Sequence, residues 1–353
     1  MARSLLPMML LLASGCAPVQ STPVPASQVI VIAHRGASGL RPEHTLLSYQ
    51  LAIEQGADFI EPDLVPTRDG VLVARHENNI AETTDVAAHP EFASRKTSKT
   101  IDGEKQTGWF TEDFTLAELR TLRAKERLPR LRPGNTAYDG QAQIPTFGEI
   151  IALAKRATRE TGRTIGIYPE TKHPTYFRSI GLPIEPRLIA QLKAAGWDRA
   201  DAPVFIQSFE VDNLKALHAE TRVRLIQLMS ATGGPADHAS PSYAAMANPE
   251  GLRDVATYAY GIGPEKAMIL PSWGHPTSLV ADAHAAGLKL HPWTFRAENF
   301  FLPPALRQGT DLAAHGDLPA EISTFIGLGV DGFFTDYPYI GVQARAAGRS
   351  PAR

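Results

Sequence analysis

The chain has 353 residues, and its 35 Lys and Arg residues against 37 Asp and Glu residues give a formal net charge of −2. Hydrophobic residues make up 43% of the sequence and charged residues 20%, which excludes a disordered chain and gives no sign of a general nucleic-acid binder. The length suits either two ordinary domains or one large α/β barrel with insertions. The single cysteine, Cys16, excludes an intramolecular disulfide and a cysteine-based zinc site within one chain.

The first residues have the pattern of an export signal. Arg3 precedes an apolar run that ends at Ala13, and small residues lead from there to Cys16. The run is too short for a membrane-spanning helix, which needs about 20 residues. Its ending resembles a bacterial lipoprotein signal, so we expect residues 1–15 to be removed and Cys16 to carry a lipid. The expected location is then the periplasm with a lipid anchor, and the alternatives are a soluble periplasmic or secreted protein.

Residues 16–28 predict a flexible tether, because they are rich in Pro, Ser and Thr and poor in large apolar side chains. Beyond them, short β-rich runs alternate with amphipathic, helix-like segments. The candidate strands are Val29–Ala33, Phe59–Val65, Val71–Arg75, Thr164–Glu170, Val204–Ser208, Val223–Met229, Met268–Leu270, Lys289–Phe295 and Gly332–Thr335.

This alternation predicts an α/β fold, and about eight strands suggest a (β/α)₈ TIM barrel over residues 29–345. The nine candidates are one too many, and Met268–Leu270 is the shortest and the first to discard. The stretch between the third and fourth candidates is far longer than one crossover needs. It is polar and contains the turn pairs Asp102-Gly103 and Pro133-Gly134, so we expect an insertion at about residues 80–145 over one barrel mouth.

Polar residues follow the ends of several predicted strands, which is where a barrel places its active site. They are His34-Arg35, Arg75-His76-Glu77, Glu170-Thr171-Lys172, Gln207-Ser208, His291 to Arg296 and Thr335-Asp336. We therefore expect one mouth to hold two histidines (His34 and His76), three carboxylates (Glu170 with Glu61 and Asp63 of the second predicted strand), Arg35 and Lys172.

Glu61 and Asp63 lie two residues apart within a predicted strand, so their side chains point to the same side. Two carboxylates on an inner barrel wall repel each other unless a cation lies between them. Glu170 would complete a set of three oxygen ligands of the kind that Ca²⁺ or Mg²⁺ prefers. The alternative is a surface pair with no metal, but apolar neighbours place the pair in a core strand.

His34 and His76 each follow an apolar strand. A histidine at such a position is often only a hydrogen-bonded structural residue, yet two of them beside a metal site suit an acid–base pair. Arg35 and Lys172 add fixed positive charge, which together with a metal favours an anionic phosphoryl group. The residues alone thus indicate a metal-assisted phosphoester hydrolase of unspecified substrate.

The segments that carry these residues resemble the glycerophosphodiester phosphodiesterases, and they look most like the periplasmic bacterial branch of that family. Eight segments match in the family's order from about residue 30 to 340. They begin at Ile32 (IAHRGASG), Arg41 (RPEHT), Phe59 (FIEPDLV), Leu72 (LVARHE), Ile165 (IGIYPETK), Gln207 (QSF), His291 (HPWTFR) and Asp331 (DGFFTDYP).

The resemblance implies a (β/α)₈ barrel with a helical insertion after strand three, and a general acid–base pair formed by His34 and His76. The other implied roles are metal binding by Glu61, Asp63 and Glu170, phosphodiester binding by Arg35 and Lys172, ordering of the substrate site by Glu43, and lining of the glycerol pocket by Trp293 and Phe295. The implied cofactor is a divalent cation, with Ca²⁺ expected before Mg²⁺.

The reaction that the resemblance implies is hydrolysis of glycerophosphodiesters, such as glycerophosphocholine or glycerophosphoethanolamine, to sn-glycerol 3-phosphate and an alcohol. The expected partner is this small molecule, with no nucleic acid and with the membrane reached only through the N-terminal lipid. Two alternatives stay open: a sphingomyelinase D-like lipid phosphodiesterase, and a lipoprotein that binds phosphodiesters without cleaving them. The sequence does not indicate the oligomeric state.

Overall fold

The computed structural model describes residues 29–347. The predicted export signal, Cys16 and the tether therefore lie outside the described residues. Within the described part, no helix combines the length and the apolar character that crossing a membrane requires.

Short strands run through the whole described chain. They are β1 (Ile30–His34), β2 (Phe59–Glu61), β3 (Asp63–Pro66), β4 (Leu72–Ala74), β5 (Thr97–Ile101), β6 (Glu104–Gly108), β7 (Gly166–Ile167), β8 (Glu170–Thr171), β9 (Phe205–Ser208), β10 (Arg224–Met229), β11 (Gly261–Pro264), β12 (Lys289–Leu290) and β13 (Gly332–Thr335). Helices connect most of the parallel ones. They are α1 (Leu46–Glu54), α2 (Leu116–Leu119), α3 (Phe147–Thr161), α4 (Pro174–Ser179), α5 (Glu185–Ala194), α6 (Val211–Glu220), α7 (Tyr243–Met246), α8 (Pro249–Val255), α9 (Lys266–Ile269), α10 (Leu279–Ala285), α11 (Leu318–Gly327) and α12 (Pro338–Ala347).

The parallel strands close into a barrel. β1 pairs with β2 on one side and with β13 on the other. β2 and β3 form one barrel position interrupted at Pro62, and β7 and β8 form the next. The ring continues through β9, β10, β11 and β12 and returns to β13, so the described residues contain eight barrel positions and the predicted TIM-barrel fold is confirmed.

The strand list needs two corrections. Val71–Arg75 is no barrel strand, because β4 pairs antiparallel with β3 and forms a hairpin arm. The missing barrel strand is β11, whose sequence Gly-Ile-Gly-Pro has low strand propensity. A Cβ on Gly261 would lie 2.5 Å from the Lys289 carbonyl oxygen, so close strand packing explains the glycine. Met268–Leu270 overlaps α9, as expected of the discarded candidate.

Two hydrophobic layers hold the barrel. Inside it, Tyr168 stacks on Phe205 and meets Phe334 edge-on, with ring centroids 4.9 and 5.0 Å apart. Outside it, a larger buried cluster fills the space between the strands and the helices. The inner aromatic layer forms a solid floor, so polar side chains at the barrel mouth rest on an apolar base.

The segment between β4 and α3 covers the mouth. It is less helical than the resemblance implies, since it holds the β5–β6 hairpin, several 3₁₀ helices and the four-residue helix α2. Asp102 and Gly103 form the hairpin turn, both with positive φ (49° and 85°), as a tight two-residue hairpin requires. A capping box between Thr146 and Glu149 then begins α3.

Candidate active site

Strand register brings the predicted site residues to one level of the barrel. His34 on β1 lies opposite Glu61 on β2. Asp63 on β3 lies opposite Glu170 on β8, and Glu170 in turn lies opposite Gln207 on β9. Side chains from four consecutive barrel positions therefore meet at the mouth, although they are up to 173 residues apart in sequence (207 − 34).

Glu61, Asp63 and Glu170 form a buried cluster in which one carboxylate oxygen of each lies within 4.8 Å of the others. Their exposed fractions are 1%, 1% and 6%. Burial, together with the neighbouring charges of Asp63 and Glu170, raises the pKa of Glu61 well above its usual range. Burial opposed by Lys172 raises the pKa of Glu170 to about 8. Ionising all three carboxyl groups together is therefore unfavourable in these surroundings, and a divalent cation would balance their charge.

Asp63 has the contacts of an ionised carboxylate. Although burial raises its pKa, the hydrogen bond from His44 and the nearby cations outweigh that effect and hold the pKa well below its usual range. His44 Nε2 lies 2.8 Å from Asp63 Oδ2, and Tyr49 contacts the other ring nitrogen. Within residues 29–347, the buried Asp63 Oδ1 has no hydrogen-bond partner. This free oxygen and the all-oxygen set fit a hard cation such as Ca²⁺ or Mg²⁺.

His34 is held by a carboxylate on the last barrel strand. Its Nδ1 lies 2.6 Å from Asp336 Oδ1, and Arg132 and Arg296 both contact the other oxygen of Asp336. Burial and the charge of Arg35 lower the pKa of His34 to about 4. Because a carboxylate only accepts hydrogen bonds, the neutral ring carries its proton on Nδ1 and keeps Nε2 free.

His76 has a matching arrangement. Its Nδ1 lies 3.0 Å from Glu77 Oε1, and the other oxygen of Glu77 lies 3.0 Å from His173 Nε2. His173 Nδ1 contacts Asp102 at the tip of the β5–β6 hairpin. Burial and the charges of Arg35 and Lys172 lower the pKa of His76 to about 3. A line of four polar side chains therefore connects the insertion to His76.

The two positively charged side chains that the sequence predicts for the site, those of Arg35 and Lys172, lie beside the carboxylate cluster. The Arg35 backbone N–H donates to Glu61 at 2.7 Å, and its guanidinium contacts both oxygens of Glu43 at 3.1 and 3.2 Å. Arg127 also contacts Glu43, so Glu43 lies behind Arg35 and orients it. Lys172 Nζ lies 3.0 Å from Glu170 Oε1. This lysine therefore forms an ion pair with one member of the carboxylate cluster.

A cavity of about 120 Å³ joins these groups at the mouth. His34, His76, Arg35, Glu61 and Glu170 border it. Trp293 also borders it, and its indole N–H donates to the Gly263 carbonyl at 2.8 Å.

Phe295 does not line this cavity, which corrects the sequence prediction. It is fully buried and packs edge-on against Phe325 of α11 and Phe333 of β13, with ring centroids 4.9 and 5.6 Å apart. The chain after β12 is not a regular strand, so residues two apart do not share a face as they would in one. Thr294 and Arg296 border the cavity instead.

Several site residues carried no predicted role. They are His44, Glu77, Arg132, His173, Gln207, Arg296 and Asp336. The sequence signal for Asp336 was its place directly after the last strand. Arg132 lies in the irregular insertion and reaches the site only through the fold, so sequence patterns gave no signal for it.

Sequence comparison finds relatives over most of the chain. A glycerophosphodiester phosphodiesterase of Arabidopsis thaliana is 37% identical, with 89% of this chain and 85% of the relative covered. One of Haemophilus influenzae is 31% identical, with 90% of each covered.

Solved structures show the same fold. One is a putative glycerophosphoryl diester phosphodiesterase of Silicibacter pomeroyi (TM-score 0.65, 22% identity, 91% of this chain and 94% of that chain). Another is an Oleispira antarctica phosphodiesterase in complex with the product sn-glycerol-3-phosphate (TM-score 0.59, 23% identity, 89% and 96%). The model of the glycerophosphoryl diester phosphodiesterase family matches residues 34–340. The chain therefore belongs to this family of enzymes.

Proposed function

We propose that the protein hydrolyses glycerophosphodiesters to sn-glycerol 3-phosphate and an alcohol, with His34 and His76 as the acid–base pair. One observation carries this proposal. Both imidazoles border one small cavity together with two of the three clustered carboxylates, and each imidazole has its Nδ1 against a carboxylate of its own. Such a pair leaves two Nε2 atoms free to exchange protons with a substrate between them.

The proposed substrate position follows from charge. A phosphodiester is an anion, and Arg35 borders the cavity with its guanidinium held by Glu43. Arg296 borders the same cavity. These arginines would orient the non-bridging oxygens. One histidine then removes a proton from the attacking oxygen, and the other donates a proton to the alcohol that leaves.

Glu61, Asp63 and Glu170 would hold a divalent cation. When bound, such a cation supplies positive charge that polarises the phosphoryl group. The sequence motifs imply Ca²⁺, with Mg²⁺ as the alternative, and both prefer the oxygen ligands present here. Trp293 would contact the glycerol end, because its ring forms an apolar wall of the cavity.

A release assay tests this function. Purified protein is incubated with glycerophosphocholine in Ca²⁺, in Mg²⁺ or in a chelator, and sn-glycerol 3-phosphate is measured. We expect release with metal and none in chelator. Tight binding of intact substrate with no product would establish the binding-protein alternative. Cleavage of sphingomyelin vesicles with no cleavage of glycerophosphocholine would establish the lipid phosphodiesterase alternative.

A further inference from the structure

A second, larger cavity of about 520 Å³ adjoins the small one. Glu170 and Phe209 border both cavities, so the two spaces meet at the carboxylate cluster. In the proposed function, the glycerol end of the substrate would lie in the small cavity beside Trp293. The other ester arm must leave the phosphorus on a different side, and the larger cavity provides the room for it.

Glu210 gives this cavity its chemical character. It borders the cavity and is only 3% exposed. Its carboxylate accepts hydrogen bonds from the backbone N–H and the hydroxyl of Thr175, both of which are neutral donors. Burial, with the charges of Asp102 and Asp237, raises its pKa to about 7. Among the described residues no cation lies within ion-pair distance of it, so the ionised form of this buried carboxyl has no charged partner there.

The positive groups of the cavity wall are already paired. Lys172 contacts Glu170 at 3.0 Å, and His173 contacts both Asp102 and Glu77. Neither of them compensates Glu210. A positively charged ligand arm could do so without displacing an existing ion pair.

Aromatic rings complete the wall. Phe209 and Tyr243 both border the cavity and meet edge-on, with ring centroids 6.1 Å apart. Phe209 also meets Trp293 edge-on at 5.7 Å. Aromatic faces attract ammonium groups, including quaternary ones, and the Lys172 ammonium lies 5.9 Å from the centroid of the Phe209 ring.

We infer that the larger cavity binds the leaving alcohol and favours alcohols that carry an ammonium group, with Glu210 as the counter-ion and Phe209 and Tyr243 as the aromatic wall. This inference rests on the proposed function, because it assigns the second arm of the same substrate.

The test compares substrates that differ only in the charge of this arm. kcat/KM is measured for glycerophosphoethanolamine and glycerophosphocholine, which are cationic there, and for glycerophosphoglycerol, which is neutral. We expect Glu210→Gln, which keeps the size of the side chain, to lower kcat/KM about 10-fold or more for the two cationic diesters. The loss for glycerophosphoglycerol should be clearly smaller, because its arm carries no charge to pair with Glu210, and circular dichroism of the variant checks that it is folded.

Glu250→Gln is the matched control, since Glu250 is an exposed carboxylate on α8, and it should change no substrate ratio. If Glu210→Gln lowers all three values equally, or if the parent protein does not prefer the cationic diesters, the inference is wrong while the proposed function stands. If the parent releases sn-glycerol 3-phosphate from none of the three, the proposed function fails and the inference fails with it.

Discussion

His34 and His76 show how a single residue type acquires its role from its neighbours. The Nδ1 of each ring lies within 3.0 Å of a carboxylate oxygen, which only accepts hydrogen bonds, so the proton is assigned to Nδ1 and Nε2 is left without one. The lowered pKa values, about 4 and about 3, keep both rings neutral near pH 7. Both imidazoles are therefore bases in the free protein, and an anionic phosphodiester beside them would favour protonation of one.

Replacing either histidine tests this assignment. We expect His34→Ala and His76→Ala each to lower kcat for glycerophosphodiester hydrolysis by at least about 10²-fold, because general acid–base catalysis contributes that much. His218→Ala, on the exposed face of α6, should leave the rate unchanged. Parent rates in both site variants would refute the acid–base assignment.

At the scale of elements, the insertion between β4 and α3 covers the site and also contributes a side chain to it. Arg132, which precedes a 3₁₀ helix of the insertion, is 5% exposed and contacts both Glu298 and Asp336. It also donates to the Ser38 carbonyl at 3.0 Å. One side chain thus fixes the insertion to the loops after β1, β12 and β13, and it holds the carboxylate that orients His34.

Arg132→Met should destabilise the fold by about 3–5 kcal/mol, because among the described residues it leaves the buried Glu298 with no ion-pair partner, and it removes one of the two arginines beside Asp336. Denaturant unfolding measures this cost. Arg120→Met is the matched control, since Arg120 pairs with Glu149 at the surface with both side chains about one-third exposed, and its loss should cost less than about 1 kcal/mol. Equal costs for the two variants would show that the buried pair does not anchor the insertion.

His173 makes the second attachment of the insertion dependent on pH. Burial lowers its pKa, but the hydrogen bonds to Asp102 and Glu77 outweigh burial and raise it to about 9. A histidine whose pKa is higher in the folded protein than in the unfolded chain stabilises the fold fully below the unfolded value of about 6.5. That stabilisation is lost as pH rises through about 9.

We therefore expect the free energy of unfolding of the parent protein to fall as the pH rises from about 6.5 to about 9. The part of this fall that is due to His173 should be on the order of 1–3 kcal/mol. His173→Gln should remove this part of the pH dependence, and Asp102→Asn should reduce it. Unfolding curves in denaturant at several pH values measure the slope. An unchanged slope in His173→Gln would show that the attachment does not depend on this charge.

At the scale of the whole molecule, the near-zero net charge conceals a strong local separation of charge. Acidic and basic groups collect at one mouth of the barrel, where the strand register brings them together above an aromatic floor. Residues 1–28 lie outside the described part, and we propose from their sequence that they export the protein and attach it to a membrane through Cys16. Membership of the periplasmic branch stays a prediction of the same motifs.

A single substitution tests the proposed anchor. In a bacterial host, the parent protein should incorporate a labelled fatty acid if Cys16 carries the lipid. It should then also sediment with membranes, because a thioether-linked lipid adds large apolar area. Cys16→Ser should lose both the label and the sedimentation while keeping the specific activity of the purified barrel. A parent protein that is exported, unlabelled and soluble would instead support plain secretion.

Sequence motifs predicted many of the site residues, because in a barrel the residues of the active site lie at the ends of the strands. The Glu61 and Asp63 pair, Glu170, His34 and His76 were each identified from their place at apolar strands, and the structure brings them together. Long-range packing escaped prediction. A glycine-rich strand such as β11 has no local strand signal, and its barrel position depends on how closely its neighbours approach.

The sequence alone thus determined the fold class and the chemical types of the site, because alternation and residue type are local properties. Only the tertiary structure placed Phe295 in the core, turned β4 into an antiparallel arm and brought Arg132 onto Asp336. It also showed that Glu210 is buried beside a second cavity, with no cation of the described part of the chain within ion-pair distance. These features depend on which distant segments meet, and contacts between distant segments leave no periodic pattern in the chain.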